Sequence, residues 1–300
     1  MKEATETKDT SKAGSGEKTT SELRLALRQL KKDKMSMFGL IVIAAMVFLA
    51  IFSEYLTPYD PTEQDFDIAL SPPSGAHLLG TDSLGRDMFS RVITGARVSI
   101  FVGIVSCAIA MSIGVPMGIL AGYGGPRADN VVSRIIDGIM AFPPLLLAIA
   151  LMAVLGASMT NVMMALGFTI STHYARLTRG VTLKAKEQTY VMAAKTIGLK
   201  EYQIVLKHIL PNIIAPIIIQ TTVTFAYAII AEASLSFLGL GVKPPTPSWG
   251  LDLSDARKYV LEAPWLPLFP GFAIFIAVLA VNMFGDGLNS ALNPRERRRL

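Results

Sequence analysis

The sequence predicts an all-α, polytopic membrane protein with six transmembrane helices, both termini cytoplasmic, and a polar helical elbow on the cytoplasmic face. Three observations predict it. Hydrophobic residues make up 51% of the 300 positions and charged residues only 17%, against about 25% charge in soluble domains. The mean hydropathy is +0.46. Apolar runs of about twenty residues recur along the chain, each long enough to cross a hydrocarbon core of about 30 Å as a helix. Lipid offers no hydrogen-bond partners, so such runs must satisfy their backbones internally. This arithmetic argues against a soluble enzyme, a disordered chain or a disulfide scaffold. Cys107 is the only cysteine, which removes internal disulfides and thiolate zinc sites.

In chain order, residues 1–37 form a tail and lead-in. The first twenty are Thr, Lys, Glu, Ser and Gly without an apolar run; they are read as disordered and not as a secretory leader. Ser21 to Lys34 predicts a short amphipathic helix, with Leu23, Leu27 and Leu30 on one face, lying on the bilayer surface. Residues 38–96 hold the first span, Phe38 to Leu56, and an external loop. Residues 97–293 form the core. Its spans are Val98 to Tyr123, Ile139 to Leu155, Asn161 to Leu177, Ile209 to Ala233 and Pro267 to Leu288. Pro143 and Pro144 bend the third span or set its first turn. The external segment Ser236 to Trp265, with Pro244, Pro245, Pro247 and Trp249, reads as an ordered cap. Residues 294–300 are a basic tail.

Charge sets the orientation. Segments on the terminal side of the spans carry 22 Lys and Arg, and those on the other side carry 6. Basic residues stay on the cytoplasmic side. The net charge of +5 and pI near 9.3 are therefore a topology signal, and no nucleic-acid partner is implied.

The segment between spans four and five is too polar to cross. Helix formers run from Lys184 to Thr196, with Tyr190, Val191, Ala194 and Ile197 on one side. Gly198 ends that helix, and a second runs from about Lys200 into Leu210-Pro211. A partner gripping this elbow would move span five directly.

Ala193-Ala194, Gly198 and Leu210-Pro211 resemble the cytoplasmic signature loop of binding-protein-dependent ABC importer permeases. Met192 stands where that signature has Glu, and His208 where it has Ile. The stretches Gly80 to Arg91, Gly95 to Ser99, Ala121 to Gly125, Ala141 to Pro144 and Ala231 to Gly250 are similar to the C-type subunit of the oligopeptide, dipeptide and nickel permease family. The resemblance covers roughly residues 35–293. It implies a prokaryotic inner or plasma membrane, a second homologous permease subunit, two ATP-binding cassette subunits and an external solute-binding protein. ATP and Mg would sit on the cassette subunits; this chain has no Gly-x-x-x-x-Gly-Lys-Ser/Thr loop and is expected to be non-catalytic and without a cofactor of its own. The implied solute is a dipeptide or oligopeptide, with nickel or another small solute as the alternative.

The ATPase-coupling candidates are Ala193, Ala194, Gly198, Leu210 and Pro211. Acids inside spans are costly, which makes Glu232 and Asp286 pathway or gate candidates; Glu232 equally suits holding the loop after it, and Asp286 a helix-packing role. Asp82, Arg86 and Asp87 form a charged cluster around Gly85, with Asp82 expected as a helix N-cap, Arg86 or Arg91 as ion-pair partners, and a binding-protein contact as the functional reading. Asp137 is expected at the cytoplasmic interface or paired with Arg134. His77, His173 and His208 lie too far apart to suggest a metal site. Ser234 and Ser236 lack a base for nucleophilic work. A stand-alone secondary transporter would show inverted repeats, and no repeat is evident.

Overall fold

The computed structural model describes residues 28–292. Those residues form helices joined by turns, with no strand; the only bridge pairs Thr81 with Asp87. The long elements are α1 (Lys34–Ile51), α2 (Met88–Tyr123), α3 (Pro126–Met140), α4 (Pro144–Leu155), α5 (Met159–Lys186), α6 (Thr189–Thr196), α7 (Glu201–Phe237), α8 (Trp249–Ala256) and α9 (Trp265–Leu292). The predicted tails, residues 1–20 and 294–300, lie outside the described residues, as does the first half of the amphipathic lead-in, residues 21–27. Of the lead-in, residues 28–32 are helical, and Leu30 packs on Phe284, Ala291 and Leu292 of α9.

Four helices among the described residues, α1, α2, α7 and α9, are long and apolar enough to cross a membrane. A fifth crossing requires α3 and α4 together, and these meet at 83°. The third predicted span, Ile139 to Leu155, is thus not a straight helix. Pro143 and Pro144 interrupt it, because neither supplies a backbone N–H, and α4 alone covers only ~18 Å. The fourth predicted span, Asn161 to Leu177, lies inside the 28-residue α5, ~42 Å long, yet too polar to qualify by hydropathy. Its polar face is turned inward: Thr169, Ser171, Thr172, Thr178 and Thr182 are all buried. A helix sheathed by its neighbours does not need an apolar surface, and the bundle supplies that sheath.

The close partner of α5 is α2. Gly114 and Gly118 of α2 sit so near that an added Cβ would lie 2.2 Å from the Ser171 carbonyl oxygen and 2.5 Å from that of Ala175. Small residues let the two backbones approach, as in membrane helix pairs generally. The same device joins α1 to α9, where a Cβ on Gly39 would lie 2.6 Å from the Ala280 carbonyl. The main core gathers Val102, Leu166, Ile170, Tyr174, Ile217 and Leu235 between α2, α5 and α7.

Candidate functional site

Two ends of the bundle carry chemistry. At one end lies the elbow. Helix α5 ends at Lys186, and α6 follows after Glu187 and Gln188. The Gly198 N–H donates to the Lys195 carbonyl at 3.0 Å and the Leu199 N–H to the Ala194 carbonyl at 3.2 Å. That pair of bonds is a Schellman turn, which needs a left-handed residue; Gly198 supplies it with φ +78°. The chain then enters α7. The Lys200 N–H is capped by the Gln203 side chain at 3.1 Å.

Val191 and Ala194 face inward, whereas Ala193 is exposed. Tyr190 and Ile197, expected on the same side as Val191, are exposed as well. The helix is only two turns long, and its inner stripe is narrower than the sequence pattern implies. Met192, Ile197, Tyr202 and Leu206 thus present an apolar outer surface. Leu210 is half-buried and Pro211 exposed, in the first turn of the straight part of α7. Between elbow and straight helix, Val205–Ile209 form a π turn. Asn212 Nδ2 donates to the His208 carbonyl there at 2.6 Å.

The elbow is tied to the end of α2. The Tyr123 hydroxyl donates to the Glu201 carboxylate, Lys195 Nζ lies 5.2 Å from the centre of the Tyr123 ring, and Lys186 Nζ donates to the Gly122 carbonyl at 3.0 Å. Sequence reading missed Tyr123, Glu201 and Lys195 as a group, because 78 residues separate the first two.

The other end is a cap built on buried charge. Arg91 is fully buried. Its Nε donates to Asp252 Oδ1 at 2.8 Å, a second nitrogen donates to the same oxygen, and Nη1 donates to the Pro61 carbonyl at 2.9 Å. Arg86 Nε donates to Asp82 Oδ2 at 2.6 Å, and Nη2 reaches Asp255 at 3.3 Å. Asp82 is not the N-cap expected for it. Its Oδ1 closes a turn by accepting the N–H groups of Leu84 and Arg86 at 2.8 and 3.0 Å. The cap of α2 is Asp87, which accepts the Ser90 N–H at 2.8 Å and lies 3.0 Å from His77 Nδ1. Gly85, at φ +74°, makes the turn, and a Cβ there would strike the Asp65 backbone. Asp82, Arg86 and Asp87 are all buried. They therefore hold the cap together and do not present a contact surface of their own. Burial pushes the Asp252 carboxyl up and the Arg91 guanidinium opposes that rise.

Beneath the cap, Glu232 is buried within α7. It accepts the Ser236 hydroxyl at 2.7 Å and the Ser99 hydroxyl at 3.2 Å, and Ser236 Oγ in turn accepts the Val242 N–H at 3.3 Å. The carboxylate thus pins the turn that leaves α7. Asp286 is exposed on α9 between Gly285, set against Thr222, and Gly287, set against Ser36. Asp137 pairs with Arg176 of α5 at 2.8 Å and not with Arg134, since the crossing of α3 over α5 brings it there. Among the described residues no three His, Cys, Asp or Glu side chains are grouped to hold a metal ion.

The model of a binding-protein-dependent transport system inner membrane component matches residues 114–298, and that of the N-terminal transmembrane domain of oligopeptide transport permease C matches residues 21–73. The chain is 44% identical to a dipeptide transport system permease of Alkalihalophilus pseudofirmus over 272 residues, 91% of this chain and 90% of that one. It is 44% identical to a glutathione transport system permease of Pectobacterium atrosepticum, over 91% and 89% of the two chains. A di/tripeptide transport system permease of Pseudomonas aeruginosa is 42% identical over 88% and 89%. Among solved structures, a chain of the MetNI methionine ABC transporter superposes with a TM-score of 0.58 at 18% identity, covering 69% of this chain and 98% of that one; at that identity the likeness concerns the fold.

Proposed function

Because the chain belongs to the family of binding-protein-dependent transport inner membrane components, of the oligopeptide permease C type, we propose that it forms half of the path through which an ATP-driven importer carries short peptides. The peptide reading is supported by the names of the relatives, which speak of dipeptides, di- and tripeptides and glutathione. None of those names favours nickel. Two ATP-binding cassette subunits, a second permease and an external binding protein complete the assembly, with ATP and Mg held by the cassette subunits.

The bent pair α3 and α4 counts as one span and α5 as another, which makes six. Both termini and the elbow then face the cytoplasm, as the 22 basic residues favour. The cap faces outward, towards the binding protein, in a bacterial plasma membrane.

One observation carries the mechanism: α6 ends in the Gly198 turn and α7 begins three residues later, so a cassette that moves the elbow moves a membrane helix. The exposed side of the elbow sets Met192, Ile197, Tyr202 and Leu206 beside Lys195 and Lys200, an apolar patch with a polar rim of the kind that marks an interaction site. The proposed cycle needs two states of the helix bundle, biased by ATP on one side and by the loaded binding protein on the other.

The test is reconstitution of the full complex in liposomes with labelled dialanine and its binding protein. Uptake that requires ATP and both cassette subunits is expected. Uptake by this chain alone, without ATP, would overturn the reading in favour of a secondary transporter.

A further inference from the structure

The junction of α3 and α4 leaves irregular backbone inside the bundle, ~20 Å from the outer end of α5. The depth follows from two rulers. Helix α4 ends at Leu155, whose carbonyl accepts Asn161 Nδ2 of α5 at 2.8 Å, so the start of α4 lies ~18 Å along from the beginning of α5. Thr172 and His173, which share a cavity with Phe142 and Pro144, lie ~20 Å from either end of α5. The break therefore sits about halfway along a helix ~42 Å long.

Residues 141–143 are exposed there, Phe142 by 59%. Pro143 and Pro144 bring no N–H. The Phe142 N–H turns back to Ile139 at 3.3 Å, and the Met140 carbonyl has no helical donor four residues on. Irregular backbone at membrane depth persists only against protein or beside water. The neighbourhood favours water. A cavity of about 90 Å³ has Thr169, Thr172 and His173 on the α5 side and the apolar side chains of the α3–α4 junction, Met140, Phe142 and Leu147 among them, on the other. One turn on, towards the cytoplasmic end, the ion pair between Arg176 and Asp137 is more than half exposed on both sides, so water reaches within a turn of the cavity.

Resting on the transport reading above, we propose that the break at residues 141–143, with Thr172 and His173, lines the water-filled solute path. Carbonyls without a helical donor and an imidazole offer hydrogen bonds to the amides and charged ends of a short peptide, while the Thr172 hydroxyl, which donates to the Thr169 carbonyl at 3.0 Å, keeps only its acceptor side; none of these groups prefers a particular side chain.

The single cysteine makes the test clean, since Cys107 is buried. In a Cys107→Ser background, Phe142→Cys, His173→Cys and, as a lipid-side reference in the middle of α1, Ala44→Cys are assembled into the full complex. The Cys107→Ser parent complex is first checked for ATP-dependent dialanine uptake, and every cysteine variant for assembly. The variants are then treated with the membrane-impermeant trimethylammonium-ethyl methanethiosulfonate, with and without ATP. Modification of either path thiol at least about tenfold faster than Ala44→Cys is expected in one nucleotide state, because the charged reagent is excluded from lipid. Both thiols as slow as the reference in both states would overturn the proposal. Ala141→Cys replaces any variant that fails to assemble. Absent uptake by the Cys107→Ser parent counts against the transport reading; uptake by that parent with both path thiols unreacted counts against the path alone.

Discussion

The Tyr123 hydroxyl at the end of α2 donates to the Glu201 carboxylate at the start of α7, with the Lys195 ammonium 5.2 Å above the same ring. The elbow is thereby joined to two membrane helices, one by the chain itself and one by this clasp. Movement of α6 acts on both.

Tyr123→Phe keeps the ring for Lys195 and removes only the donor. A hydrogen bond to a charged group is worth about 1.5 kcal/mol, so peptide carried per ATP hydrolysed should fall roughly tenfold while assembly and basal ATPase activity stay unchanged. Glu201→Gln retains an acceptor and should restore most of the coupling that Glu201→Ala loses. The Tyr123→Phe and Glu201→Ala effects should be non-additive. Independent, additive losses would count against the clasp.

Arg91 and Asp252 are each almost wholly buried. Removing one partner leaves an uncompensated charge, which costs about 3–5 kcal/mol. Arg91→Met should lower the melting temperature of the detergent-solubilised complex and weaken capture by the binding protein. Arg91→Met with Asp252→Leu should recover most of the lost stability. Thermal scanning fluorimetry reads both.

Gly118→Leu should separate α2 from α5. Even a Cβ there would lie 2.5 Å from the Ala175 carbonyl and from Thr178 Cβ. Overpacking of this kind costs about 1–3 kcal/mol, and the loss should appear as reduced assembly in size-exclusion profiles. Gly138→Leu, with open space around its Cβ, should assemble normally.

Glu232→Ala removes the acceptor that holds Ser236 and, through it, the Val242 N–H. The turn after α7 should then open, seen as faster proteolysis between α7 and α8. Glu232→Gln, which keeps an acceptor, should resist. Equal proteolysis of the two variants would instead point to the charge itself.

Local chemistry was legible and long-range pairing was not. The end of α6 at Gly198 could be read because a helix C-cap depends on a few neighbouring residues. The same holds for the interruption at Pro143 and Pro144, although the 83° angle could not be read. Asp87 and Asp82 both suit a helix cap, and only the turn packed against Asp65 decides between them. Arg91 was visible as an ion-pair candidate, but its partner lies 161 residues away in α8, with nothing in either neighbourhood to announce it. Helix α5 shows the limit of hydropathy. Thr178 and Thr182 face α2, and Thr169 and Thr172 the junction of α3 and α4; composition alone cannot say which way a polar face turns.

The elbow as the lever between ATP and peptide is the central claim, and Gly198→Val tests it most directly. Gly198 holds φ +78° with open space around its Cβ, so the substitution strains the turn without a clash. In the reconstituted complex, ATP-dependent dialanine uptake should be lost while the assembly still forms and the cassettes still hydrolyse ATP. Normal uptake per ATP by Gly198→Val would contradict the lever.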